Sequence, residues 1–303
     1  MKKLILTGVI GLLLLMNCGM TTAHAEKSAQ QITNEKIYNQ VYEQVRDYRD
    51  SAMNVLVIAI AKQFLGTEYV ASTLEIEPEA LQIFLDKTDC ILFVELCSAF
   101  ALTVKGDSIV QNSKMSSLPS VLAAQPSYEL LCHNIQQMRY RKGVIDGYAS
   151  RVHYTSEWII QNHNNGLMDE ITADLGGEEY EQKFFFMSQH AEIYKQLQNN
   201  AEETKRVKDF EHFLESQKPY YNLSQQILKK PEVIAKIQSG DIINFKDKKE
   251  GVDIAHVALA YEHDGQMHFI HASSKAKKVI IEPQTLADYA VRGIRVVRFN
   301  KTL

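Results

Sequence analysis

The sequence predicts an α+β protein, on three observations. The stretch Thr88–Phe100, T-D-C-I-L-F-V-E-L-C-S-A-F, carries apolar residues on every side of a helical projection from Ile91 onward, with Glu95 as its only charge. That pattern belongs to a helix buried all round rather than one with a wet face. Beyond residue 240 the helical spacing gives way to five strand-like runs. Between two of these runs stands Asp264-Gly265, a two-residue hairpin signal that makes the sheet antiparallel there.

The buried helix opens at Thr88 and Asp89, both residue types whose side-chain oxygens accept from unpaired N–H groups of a first turn. Directly behind them is Cys90. A helix start favours a thiolate over a thiol, and its N–H donors suit an oxyanion formed when sulfur attacks a carbonyl. The dipole contributes only about 0.3 to 2 kcal/mol. A catalytic role therefore requires a cationic partner; without one, Cys90 reads as a small buried hydrophobe.

At 303 residues, 45% hydrophobic and 23% charged, the chain has the composition of a globular protein with one large core or two modest ones. Lys2 and Lys3, the apolar run Leu4–Met16 and Ala23-His24-Ala25 predict a secretory signal peptide over residues 1–25, cleaved before Glu26. The apolar run is too short to span a bilayer, so no stable membrane insertion of the mature form and a periplasmic or secreted location are expected. A lipoprotein reading anchored at Cys18 is the alternative. Two of the 33 basic residues lie in that leader, so the mature chain is more acidic than the overall charge of −4, which argues against a nucleic-acid partner. Three cysteines follow the leader, Cys90, Cys97 and Cys132, an odd number that leaves one thiol without an intramolecular partner. Cys90 and Cys97 on one helix lie about 10.5 Å apart along its axis, beyond the reach of a disulfide.

Taken in order, Thr33–Lys62 has the spacing of two helices broken near Asp50-Ser51, with Gly66 as the stop. A polar connection holding Tyr69 follows, then a short helical piece around Pro78–Phe84. Lys105–Ser127 reads as a surface loop, and Tyr128–Arg141 as a helix ending at Gly143. The segment G-Y-A-S-R-V-H-Y-T-S-E-W-I-I gathers Arg151, His153, Tyr154 and the single tryptophan, Trp158. Leu175-Gly176-Gly177 marks a turn, and Glu178–Gln217 is dominated by helix formers. The whole of 26–303 is expected to be one domain, with a helical insertion at about 105–235.

The strands are expected at Asp241–Lys246, Ile254–Glu262, Gln266–Ala272, Lys278–Glu282 and Ile294–Phe299. The Asp264-Gly265 turn sets His256 opposite Ser273 and Ala258 opposite His271. His256 and His271 then emerge on one face as diagonal neighbours, with His268 on the other. A thiol at a helix start, an imidazole to take its proton and a second polar ring to orient that imidazole are the parts that nucleophilic acyl transfer needs.

In these residues the sequence resembles the NlpC-type, papain-like cell-wall cysteine hydrolases, and within them the N-acetylmuramoyl-L-alanine amidase-like branch. The segments that carry the resemblance are F-L-G-T-E-Y-V-A-S-T-L-E, D-C-I-L-F-V-E, Y-A-S-R-V-H-Y-T-S-E-W-I, F-M-S-Q-H, G-V-D-I-A-H-V-A-L-A and H-F-I-H-A-S-S. Glu68 stands where that family has Pro, and Ser72 where it has Gly. The resemblance implies a papain-like fold, with the cysteine-bearing helix packed on the C-terminal antiparallel sheet and extra helices around it. It implies Cys90 as nucleophile, His256 as base and then acid, and His271 as the orienting residue, with no cofactor and no metal. The implied substrate is peptidoglycan or muropeptides released from it, cut between the lactyl group of N-acetylmuramate and L-alanine.

In this reading Arg151 would clamp a stem-peptide carboxylate. Tyr69 and Trp158 would offer flat surfaces to sugar or peptide, with His153 beside them in the same substrate-binding group. The rivals are a gamma-D-glutamyl-diamino-acid endopeptidase of the same superfamily, a zinc hydrolase with Cys90, His256 and His271 as ligands, and a catalytically silent wall-binding protein.

Overall fold

The computed structural model of the chain describes residues 27–106 and 125–300. The expected leader, Cys18 and most of the Lys105–Ser127 stretch lie outside the described residues. The first two helices are α1 (Ala29–Val45) and α2 (Met53–Gln63), parted where the spacing predicts. Ser28 caps α1 by accepting from the Gln31 N–H at 3.1 Å. The third helix, α3, spans Cys90–Val104, and every residue from Leu92 to Val104 is buried. Its all-round apolar character has a plain cause: α2 and a fourth helix, α4 (Tyr128–Arg139), cover one side and the sheet covers the other.

Ten strands are present among the described residues: β1 (Glu68–Tyr69), β2 (Lys87–Thr88), β3 (Met168–Glu170), β4 (Glu178–Tyr180), β5 (Tyr220–Asn222), β6 (Ile242–Lys246), β7 (Ile254–His263), β8 (Gln266–Ser273), β9 (Lys278–Ile281) and β10 (Ile294–Phe299). Eight of them form one sheet in the order β2-β1-β9-β8-β7-β6-β10-β3, while β4 pairs only with β5. The five C-terminal strands stand where the sequence places them. The expected C-terminal antiparallel sheet is present, β9, β8, β7, β6 and β10 all pairing antiparallel, and it is extended at one edge by β1 and β2, which run parallel to each other. Those strands have two residues each, too few to show an alternating pattern, and their pairing is set by long-range contacts.

Both faces of this sheet are buried, which is why A-H-V-A-L-A reads as a nearly continuous apolar run. Val257 and Leu259 of β7 join the core around α3, and Ala258 and Ala260 join a second core with Phe245, Phe269 and Leu286. Asp264 and Gly265 turn the β7–β8 hairpin at φ 49° and 74°, the left-handed values of a type I′ turn. Pairs from His263↔Gln266 to Leu259↔Ile270 follow the register that this turn dictates.

Two expected helical stretches differ. Residues 78–84 are not helical, because side chains from elsewhere satisfy their backbone. The Gln82 carbonyl accepts from Arg139, the Ile83 carbonyl from Asn34 at 2.9 Å and the Ala80 carbonyl from Tyr140 at 3.2 Å. Within Glu178–Gln217 the long helix is only α7 (Ala201–Glu215), capped by Asn200, which accepts from the Glu203 N–H. Ahead of it, Glu178–Tyr180 is a strand and Phe186–Gln189 a single helical turn, α6. The Met187 and Ser188 N–H groups donate to the buried Glu211 carboxylate at 3.0 and 3.1 Å, which fixes that turn against α7. The helix α5 (Thr155–Asn164) completes this part, and Tyr154, Phe184, Val207 and Leu214 form its own core.

Candidate active site

Cys90 is the first residue of α3. Asp89 caps the helix with its Oδ1 accepting from the Leu92 N–H at 2.9 Å, which fixes the position of the first turn. The β7–β8 ladder stops at Leu259↔Ile270, although β7 begins at Ile254 and β8 runs on to Ser273 paired with β9. The expected pairs His256–Ser273 and Ala258–His271 are therefore corrected: the strands part there and the start of α3 abuts the gap. The Val257 N–H is directed at the Cys90 thiol.

The diagonal relation of the two histidines holds. His256 Nε2 lies 2.6 Å from His271 Nδ1, and the rings meet edge to face with centroids 4.9 Å apart. Aromatic neighbours brace both rings: Phe245 stacks on His256 at 5.7 Å, and Phe269 meets His271 at 4.9 Å. His271 is 1% exposed, and its Nε2 lies 3.3 Å from Glu282 Oε2. His268 takes no part; its Nδ1 lies 3.0 Å from the Glu282 carbonyl.

Cys90 and His256 line one cleft of about 420 Å³, together with Ser72, Thr73, Glu75, Arg151, His153 and Trp158. Burial dominates its electrostatics. Burial first, then the neighbouring His271, holds His256 down at about 3, and burial holds His271 at about 4. The Cys90 thiol is pushed up to about 11 by burial and then by Asp89, against the downward pull of the Val257, Ile91 and Cys90 N–H groups. The expected preference for a thiolate is thus reversed in the resting protein. Removal from water outweighs the helix start, and at neutral pH the thiol and both imidazoles are uncharged.

The four expected binding residues have different surroundings. Trp158 is 3% exposed and lines the cleft, with no hydrogen-bond partner for its indole N–H among the described residues. His153 lines it too; its Nε2 lies 2.9 Å from the Tyr148 carbonyl, so that nitrogen carries the proton. Arg151 is 4% exposed and already engaged, with Nη2 at 3.0 Å from Glu75 and Nε at 3.6 Å from Glu79. It fastens the loop over residues 71–79 to the segment around residue 151. Tyr69 is not among the cleft residues; it stands close enough to Cys90 and Asp89 that both add to burial in raising its phenol.

The sequence reading missed Glu282 and the acidic partners of Arg151. Glu282 follows β9, and its N–H donates to the Phe269 carbonyl at 2.9 Å. With His271 paired to Ile280, Glu282 is the diagonal neighbour of His271 on the same face. Carrying the diagonal argument one strand further finds it, once the β8–β9 register is known.

A cysteine at the mouth of a buried helix, beside a cleft and a hydrogen-bonded histidine pair on the adjoining sheet, makes up the candidate site of this α+β fold. The profile of the AmiA-like family, described as N-acetylmuramoyl-L-alanine amidase-like, matches residues 59–294, and the chain belongs to that family of amidase-like enzymes.

Among solved structures, it is 31% identical to an N-acetylmuramoyl-L-alanine amidase from Bacteroides uniformis, with a TM-score of 0.70 over 82% of this chain and 99% of that one. A Bacteroides fragilis structure described provisionally as a xylanase is 32% identical, with a TM-score of 0.65 over 78% of this chain and 98% of that one. A Legionella pneumophila protein, LPG0564, shares the fold at 18% identity, with a TM-score of 0.59 over 89% and 96% of the two chains. No curated protein matches the sequence. Among the described residues, no helix is long and apolar enough to cross a membrane.

Proposed function

We propose that the protein is a cysteine amidase that cuts the bond between N-acetylmuramate and L-alanine in muropeptides derived from peptidoglycan. The observation that carries this reading is the cleft shared by Cys90 and His256, with His271 hydrogen-bonded behind His256 at 2.6 Å. Family membership and the Bacteroides uniformis amidase support the choice of bond. In this reading His256 takes the thiol proton as sulfur attacks the amide carbonyl, since neither group is charged beforehand. N–H groups at the start of α3 hold the oxyanion. His256 then gives the proton to the leaving L-alanine nitrogen, and water clears the thioester.

The contact between the histidines favours this chemistry over zinc ligation. Two nitrogens bound tetrahedrally to zinc at 2.0–2.1 Å stand about 3.3 Å apart, whereas His256 and His271 approach to hydrogen-bond distance. The same reading takes the fold as papain-like and NlpC-type, and 26–303 as one domain with a helical insertion at about 105–235. It has residues 1–25 exporting the chain to the periplasm or the exterior. Digestion of defined muropeptides by native protein and Cys90→Ala, read by mass spectrometry, tests it. New L-alanine N-termini from the native protein alone are expected; stem peptides cut internally, or equal products from both proteins, reject it.

A further inference from the structure

We propose that Glu282 is a positioning residue that fixes which nitrogen of each histidine carries the proton, and so keeps His256 able to act as a base. The inference rests on the reading of His256 as the group that takes the thiol proton. At 2.6 Å, His256 Nε2 and His271 Nδ1 share one hydrogen, and one ring must donate while the other accepts. Two arrangements of the neutral pair exist.

If His271 is protonated at Nε2, its Nδ1 accepts from His256 Nε2–H, and His256 Nδ1 keeps a lone pair. If His271 is protonated at Nδ1, it donates to His256 Nε2, and the proton of His256 moves to Nδ1. In that second arrangement the nitrogen not engaged by His271 is already protonated, and no base remains.

What decides between them is the far nitrogen of His271. That atom has no aligned hydrogen-bond partner among the described residues, and its ring is 1% exposed. A protonated Nε2 there is a buried donor in need of negative charge, and Glu282 Oε2 lies 3.3 Å from it. An ionised carboxylate only accepts, so it draws the proton to His271 Nε2 and the first arrangement follows. The carboxylate is itself held. Its other oxygen, Oε1, accepts from the Gln284 N–H at 3.3 Å, and the Glu282 backbone is tied to Phe269.

Glu282→Gln makes the sharper test because it keeps the shape. The Gln284 N–H selects the amide oxygen, which turns the NH₂ group toward His271 Nε2, where it donates and demands a bare nitrogen. Long-range ¹H–¹⁵N spectra of the full chain with labelled histidine report the tautomers directly, in native protein, Glu282→Gln and Glu282→Leu. Native protein is expected to show His256 and His271 both protonated at Nε2, and both variants to show protonation moved to Nδ1. With a muropeptide substrate, kcat is expected to fall on the order of a hundredfold with KM unchanged. Native tautomers retained in folded Glu282→Gln, or a native protein already protonated at Nδ1, overturn the proposal. Because the spectra need no turnover, a native protein that cuts no muropeptide rejects the amidase reading while the role of Glu282 is still decided.

Discussion

The backbone N–H of Val257 is aimed at the thiol of Cys90, at the point where β7 leaves β8. There it pulls the pKa of the thiol down, so the parting of the two strands shapes part of the site. Even with that donor, burial keeps the thiol at about 11, which leaves about one molecule in ten thousand as thiolate at pH 7. Alkylation of Cys90 by iodoacetamide, followed by site-resolved mass spectrometry, is therefore expected to be slow at pH 7 and to keep rising beyond pH 9. A rate that levels off below pH 7 would show a standing thiolate and sink this account of the resting state.

The histidine pair makes the fold sensitive to acid. His271 titrates near 6.5 when unfolded and near 4 when folded, so the unfolded chain binds the extra proton first. Stability therefore falls as pH falls from about 6.5 to about 4, by about 3 kcal/mol for this residue at 1.36 kcal/mol per unit. Urea unfolding of native protein and His271→Gln across that window is expected to show a shallower loss in the variant. Parallel curves would mean that His271 is not held neutral by burial.

Legibility in the sequence follows the range of the forces involved. The Asp264-Gly265 turn is local, its two positive φ values suited to those residues, so the register from His263↔Gln266 to Leu259↔Ile270 and the meeting of His256 with His271 were readable. The burial of α3 was readable because a helix covered on all sides must be apolar on all sides. By contrast, residues 78–84 carry helix formers, yet Asn34, Arg139 and Tyr140 claim their carbonyls, and nothing in their own sequence announces those partners. The acidic partners of Arg151 were not legible because Glu75 and Glu79 lie more than seventy residues away. The end of the β7–β8 ladder depends on a helix docking against it, which no pattern within β7 or β8 encodes.

Ser72, in the cleft loop, sits at φ 60°, where a Cβ crowds the backbone by roughly 1–2 kcal/mol. Glycine there removes the strain but frees the unfolded chain, which returns about 0.4–1 kcal/mol of the gain. Ser72→Gly is expected to be neutral or stabilising by up to about 1 kcal/mol, and Ser72→Val to cost about 1 kcal/mol or more. Thermal unfolding checks both. A glycine variant clearly less stable than native would mean that the Ser72 hydroxyl holds the loop.

In the lining of the cleft, Glu95 on α3 meets Arg139 on α4 with both side chains buried, at 2% and 6% exposure. The guanidinium Nε donates to Glu95 Oε1 at 2.9 Å, and its Nη1 holds the Gln82 carbonyl. Burial pushes the Glu95 carboxyl up and the arginine pulls it back, so each charge depends on the other to remain in the core. Removing one alone strands its partner. Glu95→Leu is expected to cost about 3–5 kcal/mol, whereas Glu95→Leu with Arg139→Met recovers most of that loss, because no unpaired charge remains. A double-mutant cycle by urea unfolding measures the coupling. Should Glu95→Leu alone cost under about 1 kcal/mol, Arg139 has found water or the Gln82 carbonyl suffices, and the pair is not what holds α3 to α4 at the cleft.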